Sequence, residues 1–242
     1  MSETPTTGLP DAEQVRHEHP DVNGGWLRPA VFGAMDGLVS NFALIMGVTG
    51  GSSDPKPVVV AGLAGLVAGA CSMAAGEYTS VASQRELAQA QVAIERAEIV
   101  ANEGAEEAEL AAMFVEKGVE EEVARKVASQ IHRDVDTAVA VHAQEEMGID
   151  VDDLPSPWVA AGSSFVSFAI GALIPLLPLM LGVVSSVPTI LLSLVALFAC
   201  GAIVTRVTSR SWWYGGLRQL VLGGAAAGIT YLIGEAIGTQ VG

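Results

Sequence analysis

Five apolar segments, each long enough to cross a bilayer, divide this 242-residue chain and leave it few ways to fold. A hydrocarbon core takes roughly 20 helical residues to cross, and apolar runs near that length occupy residues 28–49, 57–82, 158–181, 188–205 and 215–237. The chain therefore reads as an all-α membrane protein. Half of its residues are hydrophobic and only 16% are charged, against roughly 25% charged in soluble domains. A formal charge of −15 would otherwise suggest a soluble acidic protein, but 18 of the 27 Asp and Glu fall within residues 83–153. The chain is two materials, apolar spans and one acidic block. No basic and aromatic patch is concentrated enough for nucleic-acid binding.

The expected organisation is a polar, disordered tail over residues 1–26, two spans over 27–82, an acidic helical domain over 83–153, and three spans over 154–242. The tail shows no apolar core of a signal peptide, and its His17 and His19 read as solvated. Cys71 and Cys200 lie in different spans without a nearby cysteine partner, so they are expected to be small buried residues. GGSSDPKP between the first two spans and GVVSSVP between the third and fourth are short turns. Lys and Arg favour cytoplasmic loops, and with the N-terminus inside only Lys56 falls outside. The expected orientation is N-terminus in, C-terminus out, with the acidic block in the cytoplasm.

In that block, SQRELAQAQVAIERAEIVAN continues the second span as one projecting helix, broken by residues 102–104. AEEAELAAMFVEKG forms a second helix, and VEEEVARKVASQIHRDVDTAVAVHAQEEMG a third, closed by Gly148. Val123, Val127 and Ile131 recur every four residues, which predicts an apolar stripe that packs on the neighbouring helices.

Several residues are candidates for chemistry. Asp36 sits inside the first apolar run, where a carboxylate costs roughly 2.5–3.5 kcal/mol even on insertion scales and usually faces protein or an ion path. Ser40 follows it by one turn, and Gly33, Gly37 and Asn41 form an adjacent stripe suited to close helix packing. In the second span Gly65, Gly69, Met73 and Glu77 recur every four residues and run from packing positions to a thioether and a carboxylate. That mixture suits a borderline transition ion better than Mg²⁺ or Ca²⁺, although Met in a membrane helix also simply packs. Glu95 with Glu98, Glu106 with Glu109, and His142 with Glu145 and Glu146 lie at spacings that share helix faces. Acidic solvated helices show the same spacings.

VFGAMDGLVSNFALIMGV, GACSMAAGEYTSVASQREL, GALIPLLP and GLRQLVLGGAAAGITYLIG together resemble the vacuolar iron transporter family from residue 27 to the C-terminus. The resemblance implies a homodimer of five-span subunits with a cytosolic three-helix acidic domain. It implies export of Fe²⁺ or Mn²⁺ from the cytosol in exchange for protons, with no permanently bound cofactor and no enzymatic activity. Residue by residue, it places Asp36, Met73 and Glu77 in a pore at the dimer interface, and Glu95, Glu98, Glu106 and Glu109 in a cytosolic metal site, which reverses the solvated-helix reading. Two positions depart from the family pattern: Pro29 replaces an expected Glu, and His142 and Ala143 stand where a methionine pair is expected, with Glu146 kept. An imidazole can replace a thioether as a ligand. Two other classes are open: a membrane-tethered iron-oxidising enzyme, whose Glu-x-x-His pairs appear here only in reversed order, and a metal-sensing adaptor without transport. The Arg-rich, Ala-, Gly- and Val-rich composition points to a prokaryotic cell membrane, or to a vacuolar-type membrane if the source is eukaryotic.

Overall fold

The computed structural model describes residues 25–52, 54–183, 185–205 and 210–241. The His17 and His19 reading, and most of the N-terminal tail, lie outside those residues. Eight helices are described: α1 Leu27–Gly51, α2 Pro55–Ala101, α3 Glu103–Glu116, α4 Glu121–Ile131, α5 Val135–Met147, α6 Pro157–Met180, α7 Ser186–Val204 and α8 Trp212–Val241. Five of them, α1, α2, α6, α7 and α8, are long and apolar enough to span a membrane. These correspond to the five runs read from the sequence.

Helix α1 sits at the centre of the bundle, against α6, α8, α2 and α7. Its seam with α6 is made by small residues: a Cβ on Gly37 would lie 2.2 Å from the Phe168 carbonyl oxygen, and one on Gly171 would lie 2.2 Å from that of Ala34. Only hydrogen at these positions allows the two backbones to approach so closely, which is how helices associate where lipid is as apolar as leucine. Asn41 completes the seam by donating from Nδ2 to the Ala172 carbonyl at 2.6 Å.

Helix α2 begins at a built cap. Asp54 accepts the Lys56 amide at 3.0 Å, and Pro55 occupies the first turn, where its missing N–H costs nothing. No Gly or Pro interrupts the second half of its 47 residues. At 1.5 Å per residue α2 is roughly 70 Å long, more than twice a hydrocarbon core of roughly 30 Å. Its C-terminal half must therefore stand outside the membrane, where α5 packs along it through Ile99, Ala138 and Val139.

The single third helix expected over the acidic block is two helices. His132 ends α4, its amide bonding to the Ala128 carbonyl, and Asp134 then starts α5 by accepting the Thr137 amide at 3.0 Å. The local side-chain bonds of Asp134 outcompete continuation of the helix at this point. The chain can thus turn back and lay α5 on α2. At the far end Gly148, with φ +66°, closes α5 while the Ile149 amide reaches the Ala143 carbonyl at 3.0 Å.

The expected packing stripe of α4 holds at Ile131, which packs against the clusters of α2–α5 and α3–α4, and differs at the two valines. Val123 is 46% exposed and Val127 37%, whereas Ala124 and Ala128 are fully buried, with Ala128 packed beside Leu110 and Ala111 of α3. The inward face lies one residue along from the valines, because alanine lets two short helices come close. Of the two cysteines, Cys71 is exposed rather than buried and Cys200 is half-buried.

Candidate metal centre and membrane path

The α2–α5 contact sets the geometry of the acidic site. Ile99 packs with Ala138 and Val139; one helical turn before Ile99 comes Glu95, and one turn after Ala138 comes His142. Because the two helices run past each other, the same apolar contact that docks α5 brings Glu95 and His142 face to face. Glu146 follows one further turn along α5. Glu95, His142 and Glu146 each offer a ligand atom, and the three atoms lie within 4.8 Å of one another. His142 Nδ1 is 2.7 Å from Glu146 Oε1 and 3.2 Å from Glu95 Oε1.

Burial makes this arrangement costly without a cation. Glu95 is 6% exposed, and its Oε1 finds no hydrogen-bond partner among the described residues. Its carboxyl is held above its ordinary range, first by burial, then by the charge of Glu146, with Glu106 and Glu98 adding to the effect and His142 opposing it. Glu106 on α3 is raised in the same way, by burial first and then by Glu109, with Glu98 and Glu146 contributing and His142 again opposing. The field at one place is thus shared by Glu95, Glu98, Glu106, Glu109 and Glu146. Glu145 points elsewhere and forms an ion pair with Lys117 at the end of α3. An Arg96–Asp136 pair joins α2 to the start of α5.

One member of the cluster was not anticipated from sequence. His132, at the α4–α5 break, is buried and its ring lies edge-on to His142, with Nε2 to Nε2 3.3 Å apart. The available signal was a histidine ten residues before His142, which an uninterrupted helix would have placed far away along its axis.

In the membrane the candidate residues separate. Gly33, Gly37 and Asn41 are buried against α6, whereas Asp36 and Ser40 lie on an exposed face of α1. Phe32 and Leu44, 60% and 38% exposed, extend that face by one turn each way. On α2 the Gly65, Gly69, Met73 and Glu77 stripe faces inward: Gly65 meets Leu44 and Asn41, Gly69 meets the Phe168 ring, and Met73 packs beside Ala70, Phe168 and Ala172. Glu77, at the end of this stripe, lines a cavity of about 640 Å³ with Arg28, Pro29, Arg85, Asp150 and Asp153. That cavity reaches Gln144 and Gly148 at the C-terminal end of α5, so it joins the edge of the membrane bundle to the acidic helices.

The VIT family model matches residues 27–235. A "Vacuolar iron transporter" of Acanthamoeba castellanii is 38% identical over 168 residues, covering 69% of this chain and 60% of its own. Two rice proteins match over longer stretches. "Vacuolar iron transporter 1" of Oryza sativa subsp. japonica is 29% identical over 95% of this chain and 93% of its own length. "Vacuolar iron transporter homolog 5" of the same plant is 36% identical over 87% and 79%. The chain thus spans less than two thirds of the amoebal relative and most of the two rice relatives. With a family match that runs from the start of α1 into the last turns of α8, the chain belongs to the VIT family.

Proposed function

We propose that this protein moves a divalent transition metal, Fe²⁺ or Mn²⁺, out of the cytosol in exchange for protons, working as a homodimer. The observation that carries the reading is the buried Glu95 carboxylate with an unpartnered oxygen, facing His142 Nδ1 and within ligand distance of Glu146. A buried carboxylate oxygen that faces the His142 ring at 3.2 Å, with no hydrogen bond formed, is costly, and three oxygen and nitrogen donors around one point suit a first-row divalent ion. Family membership and the names of the relatives, which specify iron, support Fe²⁺ as a cargo.

The route follows from the placement of the donors. The acidic helices collect the ion, and the cavity under Glu77 receives it. The inward stripe of α2 offers Met73 next, and Asp36 on α1 lies beyond. An exposed carboxylate in a membrane span is the observation that favours a dimer: facing lipid it would cost several kcal/mol, and a second copy laid over the α1 face would convert it into an interior group. Protons compete for the same carboxylates on the return step, since burial and like charge already favour the protonated form of Glu95 and Glu106. The distribution of Lys and Arg supports a cytosolic acidic domain, so that collection takes place on the side from which metal leaves.

Glu95→Gln checks the site independently of transport. Because Glu95 titrates above its ordinary value of 4.5 in the folded protein, its ionised form opposes folding at neutral pH. The penalty is present above the raised value and is relieved as pH falls through it. The metal-free Glu95→Gln protein should therefore show stronger amide-exchange protection in α5 at pH 7 than the unsubstituted chain. That gain should disappear as the pH is lowered toward 4.5, and Fe²⁺ binding should weaken at least ~10-fold, as expected when a metal ligand or its immediate support is lost. Unchanged protection and unchanged affinity would remove Glu95 from the site.

A further inference from the structure

Two buried histidines meet behind the Glu95 and Glu146 carboxylates, and the backbone decides which nitrogen each one presents. His132 is 5% exposed and His142 fully buried, so their ring nitrogens need partners within the protein. His132 Nδ1 lies 3.0 Å from the Ala128 carbonyl oxygen. A carbonyl only accepts, so Nδ1 carries the hydrogen and Nε2 of the neutral ring is left as an acceptor. That Nε2 faces His142 Nε2 at 3.3 Å, with the ring planes 85° apart. His142 must therefore donate from Nε2, and its neutral ring keeps a lone pair on Nδ1.

The consequence appears on the opposite edge of His142, where Nδ1 faces Glu146 Oε1 at 2.7 Å and Glu95 Oε1 at 3.2 Å. A nitrogen lone pair and two carboxylate oxygens repel one another unless an electropositive atom stands among them. In the metal-free protein a proton held between Nδ1 and a carboxylate oxygen fills that role at 2.7 Å; a divalent cation that displaces the proton satisfies all three donors.

We propose that His132 is a positioning residue for the metal centre: the relay from the Ala128 carbonyl through His132 fixes His142 in its Nε2–H tautomer and presents Nδ1 to an ion held by Glu95 and Glu146. The inference rests on the metal-binding reading above. Histidine ligands commonly donate their second N–H to a carboxylate or carbonyl, which sets both tautomer and ring orientation. Here a neutral imidazole takes that place, so the ring is oriented without adding negative charge to a site that already gathers five glutamates.

The test uses the full chain labelled with ¹⁵N-histidine, whose four histidines are assigned by single substitution. Long-range ¹H–¹⁵N correlation on metal-free protein at about pH 9, well above the ordinary imidazole range near 6.5, reads each tautomer directly. We expect His142 protonated at Nε2 and His132 at Nδ1. His132→Leu should release His142 into a mixture of tautomers and weaken Fe²⁺ binding, measured by anaerobic calorimetry, by about 10-fold or more. His132→Gln retains an amide oxygen that can accept from Nε2, and should restore both the tautomer and most of the affinity. An Nδ1–H tautomer at His142 in the unsubstituted protein would overturn the proposal, as would a His132→Leu protein with tautomer and affinity unchanged. The expected tautomers in a protein that binds no Fe²⁺ would support the ring relay while refuting the metal-site reading on which its purpose rests.

Discussion

Asp36→Asn is expected to give a folded protein that inserts normally and carries almost no Fe²⁺ into proteoliposomes. The amide keeps the size of the side chain and removes its charge. Losing one partner of a desolvated charge pair costs about 3 kcal/mol, which corresponds to about a 100-fold lower affinity or rate at that point of the path. Asp36 lies on an exposed face of α1 away from the α6 seam, so the substitution should leave packing within the subunit intact. Glu235 provides the internal control: it is an exposed acid near the end of α8, and Glu235→Gln should transport at close to the unsubstituted rate. Flux near the normal rate in Asp36→Asn would exclude Asp36 from the path.

Replacing Glu95, Glu98, Glu106 and Glu109 together by Gln should separate collection from permeation. The amides cannot offset a divalent charge. With most of the site's negative field gone, Fe²⁺ binding to the full chain should weaken by roughly 100-fold, the upper range for damage to a ligand shell. Transport should persist at high metal with a similar maximal rate, while the concentration for half-maximal flux rises, because Glu77, Met73 and Asp36 are untouched. Unchanged calorimetric binding would mean that these glutamates are solvated helix faces. A maximal rate that collapses together with affinity would make the acidic helices part of the permeation step itself.

The sequence was most legible where one requirement dominates. Five runs with no alternative to membrane helices appear in the structure as α1, α2, α6, α7 and α8, and the uninterrupted stretch after Ala82 appears as the projecting half of α2. It was least legible where small competing preferences decide. The break between α4 and α5 depends on Asp134 capping the Thr137 amide, a bond with a strength similar to that of the helix continuation it replaces. The inward face of α4 was assigned to the valines because they are the more apolar residues, but interhelical distance favoured Ala124 and Ala128. The unforeseen break hid His132, whose place beside His142 exists only because the chain turns back.

The site residues divide in the same way. Spacing paired Glu95 with Glu98 and Glu106 with Glu109, and only the family resemblance put the two pairs in one site; in the structure Glu98 and Glu106 both raise the Glu95 carboxyl, and Glu98 and Glu109 that of Glu106. Spacing could not show that Glu145 turns toward Lys117 while Glu146 turns toward His142, because adjacent positions on a helix differ by about 100° and only the packing of α5 fixes which one faces inward. In α1 the sequence put Asp36 and Ser40 next to the stripe of Gly33, Gly37 and Asn41. The α6 seam separates them and leaves the acid on the open face.

The most direct test of the central claim is Fe²⁺ entry into proteoliposomes measured together with lumenal pH, using oriented protein whose acidic helices face the outside. An acid-inside gradient should accelerate Fe²⁺ entry, and Fe²⁺ added without a gradient should make the lumen more alkaline as protons leave. Fe²⁺ entry no faster than in protein-free vesicles, whatever gradient is imposed, would contradict transport by this chain, and Fe²⁺ entry that neither responds to the gradient nor moves lumenal pH would contradict proton exchange.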